Sequence, residues 1–169
     1  MYCLAMNKVI PIVLVLFLSA AICFSLDVGE EAPTFANPDL QGRYVLSSKI
    51  VGKNWLLVDF FATYCEPCKE EVPQLEKIRD DFSDYGLEVL IFSVDKEGKE
   101  VISPYFTEQP TTLSVLIDRY KVTANRYGVE KLPTVFLVDE QGLVVYKAEG
   151  YRPSTIAELR GILEENLKP

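Results

Sequence analysis

No histidine occurs anywhere in the 169 residues. That absence removes Ser-His-Asp triads, Cys-His nucleophilic sites, haem attachment through Cys-x-x-Cys-His and every histidine-ligated metal site. Cysteine is almost as scarce. Of four, Cys3 and Cys23 lie in or beside an apolar leader, which leaves Cys65 and Cys68 as one close pair. Basic residues are in deficit, 17 against 25 acidic, for a net charge of −8. Such a balance argues against nucleic acid and anionic membrane surfaces as partners. Internal repeats and low-complexity tracts are missing too. What is present is ordinary globular composition, 49% apolar and 25% charged, in a length that suits one domain able to bury a core without disulfide help.

Residues 1–25 read as a signal peptide or membrane anchor. Lys8 is the charged flank, Val9 to Phe24 is an apolar run, and Ser19-Ala20-Ala21 supplies the small residues of a cleavage site. Met6 is a second possible start. The run is slightly short for a spanning helix, which needs about 20 residues, and Pro11 interrupts it. A cleaved signal, a retained anchor acting as a membrane tether, and a lipid anchor on Cys23 all stay open. All three put residues 26–169, the expected domain, outside the cytoplasm.

Along that domain, strand-like and helix-like patterns alternate. Leu26 to Asn54 is an irregular opening with short strands, including Arg43 to Leu46. Apolar runs at Trp55 to Ala62, Leu87 to Asp95, Leu113 to Asp118 and Thr134 to Asp139 suit strands buried on both faces. Val72, Leu75, Ile78, Phe82 and Tyr85 recur at spacings of three and four, so Glu66 to Tyr85 is expected to be a helix closed by Gly86. Lys99 to Glu108 and Val122 to Tyr127 are shorter helices. A turn at Glu140-Gln141-Gly142 leads into a hairpin partner, Val144 to Ala148. Ile156, Leu159, Leu163 and Leu167 mark a C-terminal helix capped by Ser154 or Thr155. The alternation implies an α/β domain with a parallel sheet and an antiparallel edge.

The pair in FFATYCEPCKEEVP admits three readings. A structural zinc site needs four ligands, which this chain cannot assemble from one Cys-x-x-Cys without histidine. A structural disulfide is permitted by export but would close a very short loop, the least rewarding kind of cross-link. Redox catalysis fits the position best. Cys65 follows a buried strand and opens a helix, whose unpaired N–H groups and positive end favour a thiolate there. Cys68, one turn on, can resolve a mixed disulfide formed at Cys65. Pro67 suits the first helical turn.

These residues resemble a thioredoxin fold, and more narrowly the TlpA/ResA family of exported thioredoxin-like reductases, over roughly Gly29 to Leu167. FATYCEPC is similar to that family's active-site segment, and Pro73 to its helix-kinking proline. Leu132-Pro133-Thr134 is similar to its substrate-facing loop, where the resemblance implies a cis proline. The stretch from about Glu97 to Asp118 has room for the family's helix-strand insertion. The resemblance implies a central mixed β-sheet flanked by helices and no cofactor or metal. It also implies protein disulfides as substrates, and a membrane thiol-electron donor. Apocytochrome c or the cysteines of a copper-site assembly protein would be the acceptor. Asp59 departs from many members and matches thioredoxin itself. In an apolar strand its carboxyl should have a raised pKa and could accept the Cys68 proton. Glu71, one helical turn from Cys68, matches the glutamate of members acting on apocytochrome c and is a candidate modulator.

Glu66, between the cysteines, opposes the helix dipole at Cys65, and Lys69 offsets this only in part. A less stabilised thiolate means a more reducing couple, so a disulfide reductase is expected. The rivals are a thiol oxidase or isomerase, a redox-inert binding module on the same scaffold, and a thiol peroxidase. Thr63 lies two residues before Cys65 with no proline close before it, which is not the peroxidase spacing.

Overall fold

A computed structural model describes residues 26–167 of the chain. The expectations for the leader, Cys3 and Cys23 lie outside the described residues. Seven strands and four helices follow in order: β1 (Ala36–Pro38), β2 (Tyr44–Leu46), β3 (Trp55–Phe61), α1 (Glu66–Phe82), β4 (Leu87–Ser93), α2 (Lys99–Glu108), β5 (Ser114–Ile117), α3 (Val122–Arg126), β6 (Thr134–Val138), β7 (Val144–Glu149) and α4 (Pro153–Leu167). β1 and β2 form a separate antiparallel pair.

The main sheet has the order β5-β4-β3-β6-β7. β3, β4 and β5 run parallel, whereas β6 is antiparallel to β3, and β7 to β6. This direction rule positions the site. The carboxyl ends of β3, β4 and β5 and the amino end of β6 all meet at one end of the sheet. Every residue of β3 and β6 is buried, which is why their sequences are unbroken apolar runs rather than alternating ones.

Alternation along β3 sends neighbouring phenylalanines to opposite faces. Phe60 meets Phe92, Tyr127 and Phe136 at ring distances of 5.4, 5.4 and 6.1 Å, and Phe35 closes on Phe92 at 5.0 Å. On the other face, Phe61 meets Tyr105 and Phe106 of α2 at 5.4 and 5.5 Å. α1 buries Val72, Leu75, Ile78 and Phe82, each contributing roughly 1.5–3 kcal/mol of burial. α4 packs against α1, with Arg160 ion-paired to Asp81 at 2.6 Å.

The N-terminal segment straps the sheet from both sides. Gly29 N–H donates to the Val144 carbonyl (2.8 Å), Val144 N–H to the Glu30 carbonyl (2.9 Å) and Ala32 N–H to the Gly142 carbonyl (2.9 Å). Further on, Asp39 bridges Leu116 of β5, and the Asn37 amide donates to the Ile117 carbonyl at 2.9 Å.

Several details differ from the sequence expectation, beyond strand and helix ends trimmed by one or two residues. β1 is an additional strand, only three residues long and ending at Pro38, so it carried no periodic signal. α1 ends at Phe82 and continues as a 3-10 turn, Ser83–Tyr85, before Gly86 takes the left-handed conformation at φ 93°. β7 extends one residue past Ala148, to Glu149. α4 begins at Pro153, so Ser154 and Thr155 lie inside its first turn and neither is the cap. Proline needs no N–H partner at that position.

Candidate active site

β3 ends in a short loop, Ala62 to Tyr64, and Cys65 is the N-cap of α1. Its backbone is extended (φ −91°, ψ 100°), and its Sγ accepts the Cys68 N–H at 3.3 Å. A sulfur thus does what a serine or aspartate oxygen does at ordinary helix starts. Cys65 and Cys68 are joined by a disulfide. Their exposures differ: Cys65 is 8% exposed at the rim and Cys68 is fully sealed. Tyr64 beside them is 67% exposed.

The Leu132–Pro133 peptide is cis. Pro133 is buried, Leu132 half-buried, and Thr134 buried with its hydroxyl donating to the Lys131 carbonyl at 2.8 Å. Thr134 stands opposite Phe60 in the β3–β6 register, so the cis-proline loop lies beside the strand end that leads into Cys65.

Asp59 lies between Ile91 and Val135 in the sheet, fully buried, and neither carboxyl oxygen has a hydrogen-bond partner. Burial pushes this carboxyl well above the ordinary carboxylate range, and nearby Glu71 adds to the rise. Glu71 is buried as well, with Oε2 unpartnered, and burial raises it to about 7. Glu71 is three residues from Cys68, so the two share one face of α1. The interface of β3 and α1 therefore holds Cys68, Asp59 with both oxygens unpartnered and Glu71 with one, all buried. Two carboxyls so placed share one charge far more readily than they carry two.

Glu66 and Lys69 do not join this buried group. They pair at 2.7 Å, with the Glu66 side chain 78% exposed. Water and Lys69 both weaken its field at Cys65, so the electrostatic weight first assigned to Glu66 belongs more naturally to the buried acids.

One group went unnoticed in the sequence. Asp95, buried just past β4, accepts the Thr63 N–H at 3.0 and 3.2 Å, the Thr63 hydroxyl at 2.7 Å and the Ser93 hydroxyl at 2.6 Å. It ties the loop before Cys65 to the neighbouring strand. The available signal was two polar residues, Ser93 and Asp95, closing the otherwise apolar run of LEVLIFSVD. Among the described residues, no group of three or more His, Cys, Asp or Glu is arranged to hold a metal.

A sequence profile of the AhpC/TSA family matches residues 28–147. The chain belongs to the AhpC/TSA family. Within it, the chain is similar to the thiol-disulfide oxidoreductase ResA of Bacillus thuringiensis (strain Al Hakam), 28% identical over 165 residues, covering 91% of this chain and 93% of that one. ResA of Bacillus subtilis (strain 168) is 30% identical over 126 residues, covering 75% and 69%. Among solved structures, a Chlorobium tepidum protein assigned as the thiol:disulfide interchange protein DsbE superposes with a TM-score of 0.79 at 29% identity, covering 85% and 99%. This AhpC/TSA member is thus a thiol-disulfide oxidoreductase of ResA/DsbE type with a thioredoxin-like fold, a mixed sheet flanked by helices.

Proposed function

We propose that the protein is an exported protein-disulfide reductase working through the Cys65–Cys68 dithiol. The observation that carries the reading is the asymmetry of the pair: Cys65 at the rim on a helix N-terminus, and Cys68 fully sealed on the face of α1 that also carries the buried Glu71. The Cys65 thiolate attacks a substrate disulfide sulfur, forms a mixed disulfide and releases the first substrate thiolate. Cys68 then gives its proton to the Asp59 carboxylate and attacks the Cys65 sulfur. The Cys65–Cys68 disulfide forms, the second substrate thiolate leaves, and the Asp59 proton returns to solvent. Two electrons pass from dithiol to substrate. Leu132, Pro133 and Thr134 flank the strand end beside the pair and would line the docked substrate chain. Glu71 modulates the Asp59 charge.

The reductase direction rests on the buried acids. A thiolate forming near buried acids is disfavoured, and a less stable thiolate gives a more negative potential. The potential is expected below about −200 mV, nearer thioredoxin at about −270 mV than a strong oxidant at about −120 mV. Recycling then needs a membrane thiol-electron donor, and apocytochrome c or copper-site assembly cysteines are the proposed acceptors. The leader supports export, as a signal or a tether. Among the described residues no helix is long and apolar enough to cross a membrane.

Equilibration with a glutathione buffer measures the potential, and a value near about −120 mV overturns the reductase direction in favour of an oxidase. Order of attack is tested by trapping. Cys68→Ser should accumulate mixed disulfides with substrate and Cys65→Ser should not. The opposite pattern reverses the two roles.

A further inference from the structure

Beyond the dithiol, the same end of the sheet carries a trail of depressions leading away from the cis-proline loop. The first, about 30 Å³, lies between Leu132, Val94 and Lys121. A second, about 510 Å³, shares Val94 and Lys121 with it. A third, about 440 Å³, shares Arg119 and Tyr120 with the second and reaches Tyr44 and Val122. Each depression thus adjoins the next through shared wall residues.

The charge along the trail runs against that of the molecule. Five cations, Lys96, Arg119, Lys121, Arg126 and Lys131, line it against three carboxylates, Glu97, Asp118 and Glu130. The chain as a whole carries −8. Asp118 faces inward, accepting the Thr123 and Ala124 N–H groups at 3.2 and 2.8 Å. Lys131 pairs with Glu149 at 3.6 Å, and Arg126 donates to the Thr34 carbonyl at 2.9 Å. Arg119 lies over the Tyr120 ring at 5.1 Å. Apolar surface accompanies the cations: Tyr120 is 75% exposed, Tyr44 68% and Val122 52%.

Lys121 adds an independent observation. It stands where the first two depressions join, and it is the one non-glycine residue with positive φ (55°) among the described residues. Left-handed backbone is costly for a side chain with a Cβ and free for glycine. A lysine there carries backbone strain that glycine would avoid, at a residue that lines both depressions.

We propose that this trail seats an extended, acidic segment of the substrate polypeptide flanking its reactive disulfide. Carboxylates of that segment pair with Arg119 and Lys121, and an apolar side chain rests on Tyr120 and Val122. The inference rests on the reading of the protein as an oxidoreductase of protein disulfides.

Two synthetic peptides test it. Each carries one cysteine as a glutathione mixed disulfide, followed by a tract of Asp, Glu and Tyr in one and of Lys and Tyr in the other. At low salt the reduced protein should favour the acidic peptide in kcat/KM by about fivefold or more, the size two exposed charge contacts allow, and high salt should erase the preference. Lys121→Gly should lower that ratio while raising the thermal midpoint, and Lys121→Gly with Arg119→Ser should remove the preference. A ratio near one in the wild type, or one unmoved by the double variant, overturns the trail. The oxidised protein is also titrated with the acidic peptide bearing serine for cysteine. Salt-sensitive saturable binding supports the trail even without turnover, and its absence overturns the trail. Failure to reduce either peptide or hydroxyethyl disulfide overturns the redox reading instead.

Discussion

Asp59 and Asp95 are both sealed from water, and they lie on either side of the loop that presents Cys65. Asp95 is saturated: two hydroxyls and a backbone N–H point at it. Asp59 accepts nothing. A buried carboxyl is tolerated when its oxygens are hydrogen-bonded, and it then serves as a fixed anchor. Left without partners it prefers to hold its proton. The contrast separates architecture from chemistry: Asp95 fixes where the cysteine loop sits, and Asp59 is the proton site that the proposed mechanism uses.

The contrast can be broken most forcefully at Asp95. Asp95→Ala takes the acceptor from the half-buried Thr63 N–H and hydroxyl and from the buried Ser93 hydroxyl and should cost about 3 kcal/mol, read as a lower urea midpoint. An unchanged midpoint would remove Asp95 as an anchor. The buried acids should reveal themselves next, through pH. In the folded protein Glu71 titrates near 7, against about 4.3 in an unfolded chain. The native state therefore binds more protons between those values, and stability falls as pH rises through that window, by on the order of 3 kcal/mol. Glu71→Gln should make that slope shallower and leave the share of the raised Asp59 carboxyl, and a slope wholly unchanged would place its origin away from Glu71.

Asp59→Asn keeps the shape and removes the proton site. Release of the mixed disulfide should slow about tenfold near neutral pH, a modest general-base effect, with the circular dichroism spectrum preserved. A rate unchanged from about pH 6 to 9 would take Asp59 out of the mechanism, because its raised pKa must show in that profile. Glu66→His should move the potential least, upward by less than about 30 mV, equivalent to 1.4 kcal/mol. Its position is exposed and already paired with Lys69. A larger shift would return the control of electron flow to the surface acid.

Much of this was written in the chain at the level of pattern. Trp55–Phe61 and Thr134–Val138 are legible because strands covered on both faces leave continuous apolar runs, and α1 because Val72, Leu75, Ile78 and Phe82 repeat at helical spacing. Cys65, Cys68 and Asp59 stand out for the same reason in reverse: reactive or ionisable groups interrupt or directly follow such runs. The cis bond before Pro133 could be expected only through the resemblance to the TlpA/ResA family, since no local composition dictates it. Asp95 was not legible as an anchor because its partner, Thr63, lies 32 residues away across a strand pair. The trail was hidden likewise. Tyr44, Lys96, Arg119 and Leu132 are scattered in sequence, and strand order alone gathers them at one end.

The N-terminal strap carries a consequence for self-association. β5 and β7 are the outer strands of the main sheet, and an unprotected outer strand offers free N–H and C=O groups to the next molecule. Glu30 and Ala32 occupy the start of one border, and Asp39 and Asn37 the other. A chain lacking residues 26–46 would present two bare borders flanked by aromatic surface. Light scattering from such a truncated protein should climb with concentration, as copies join border to border into open-ended stacks.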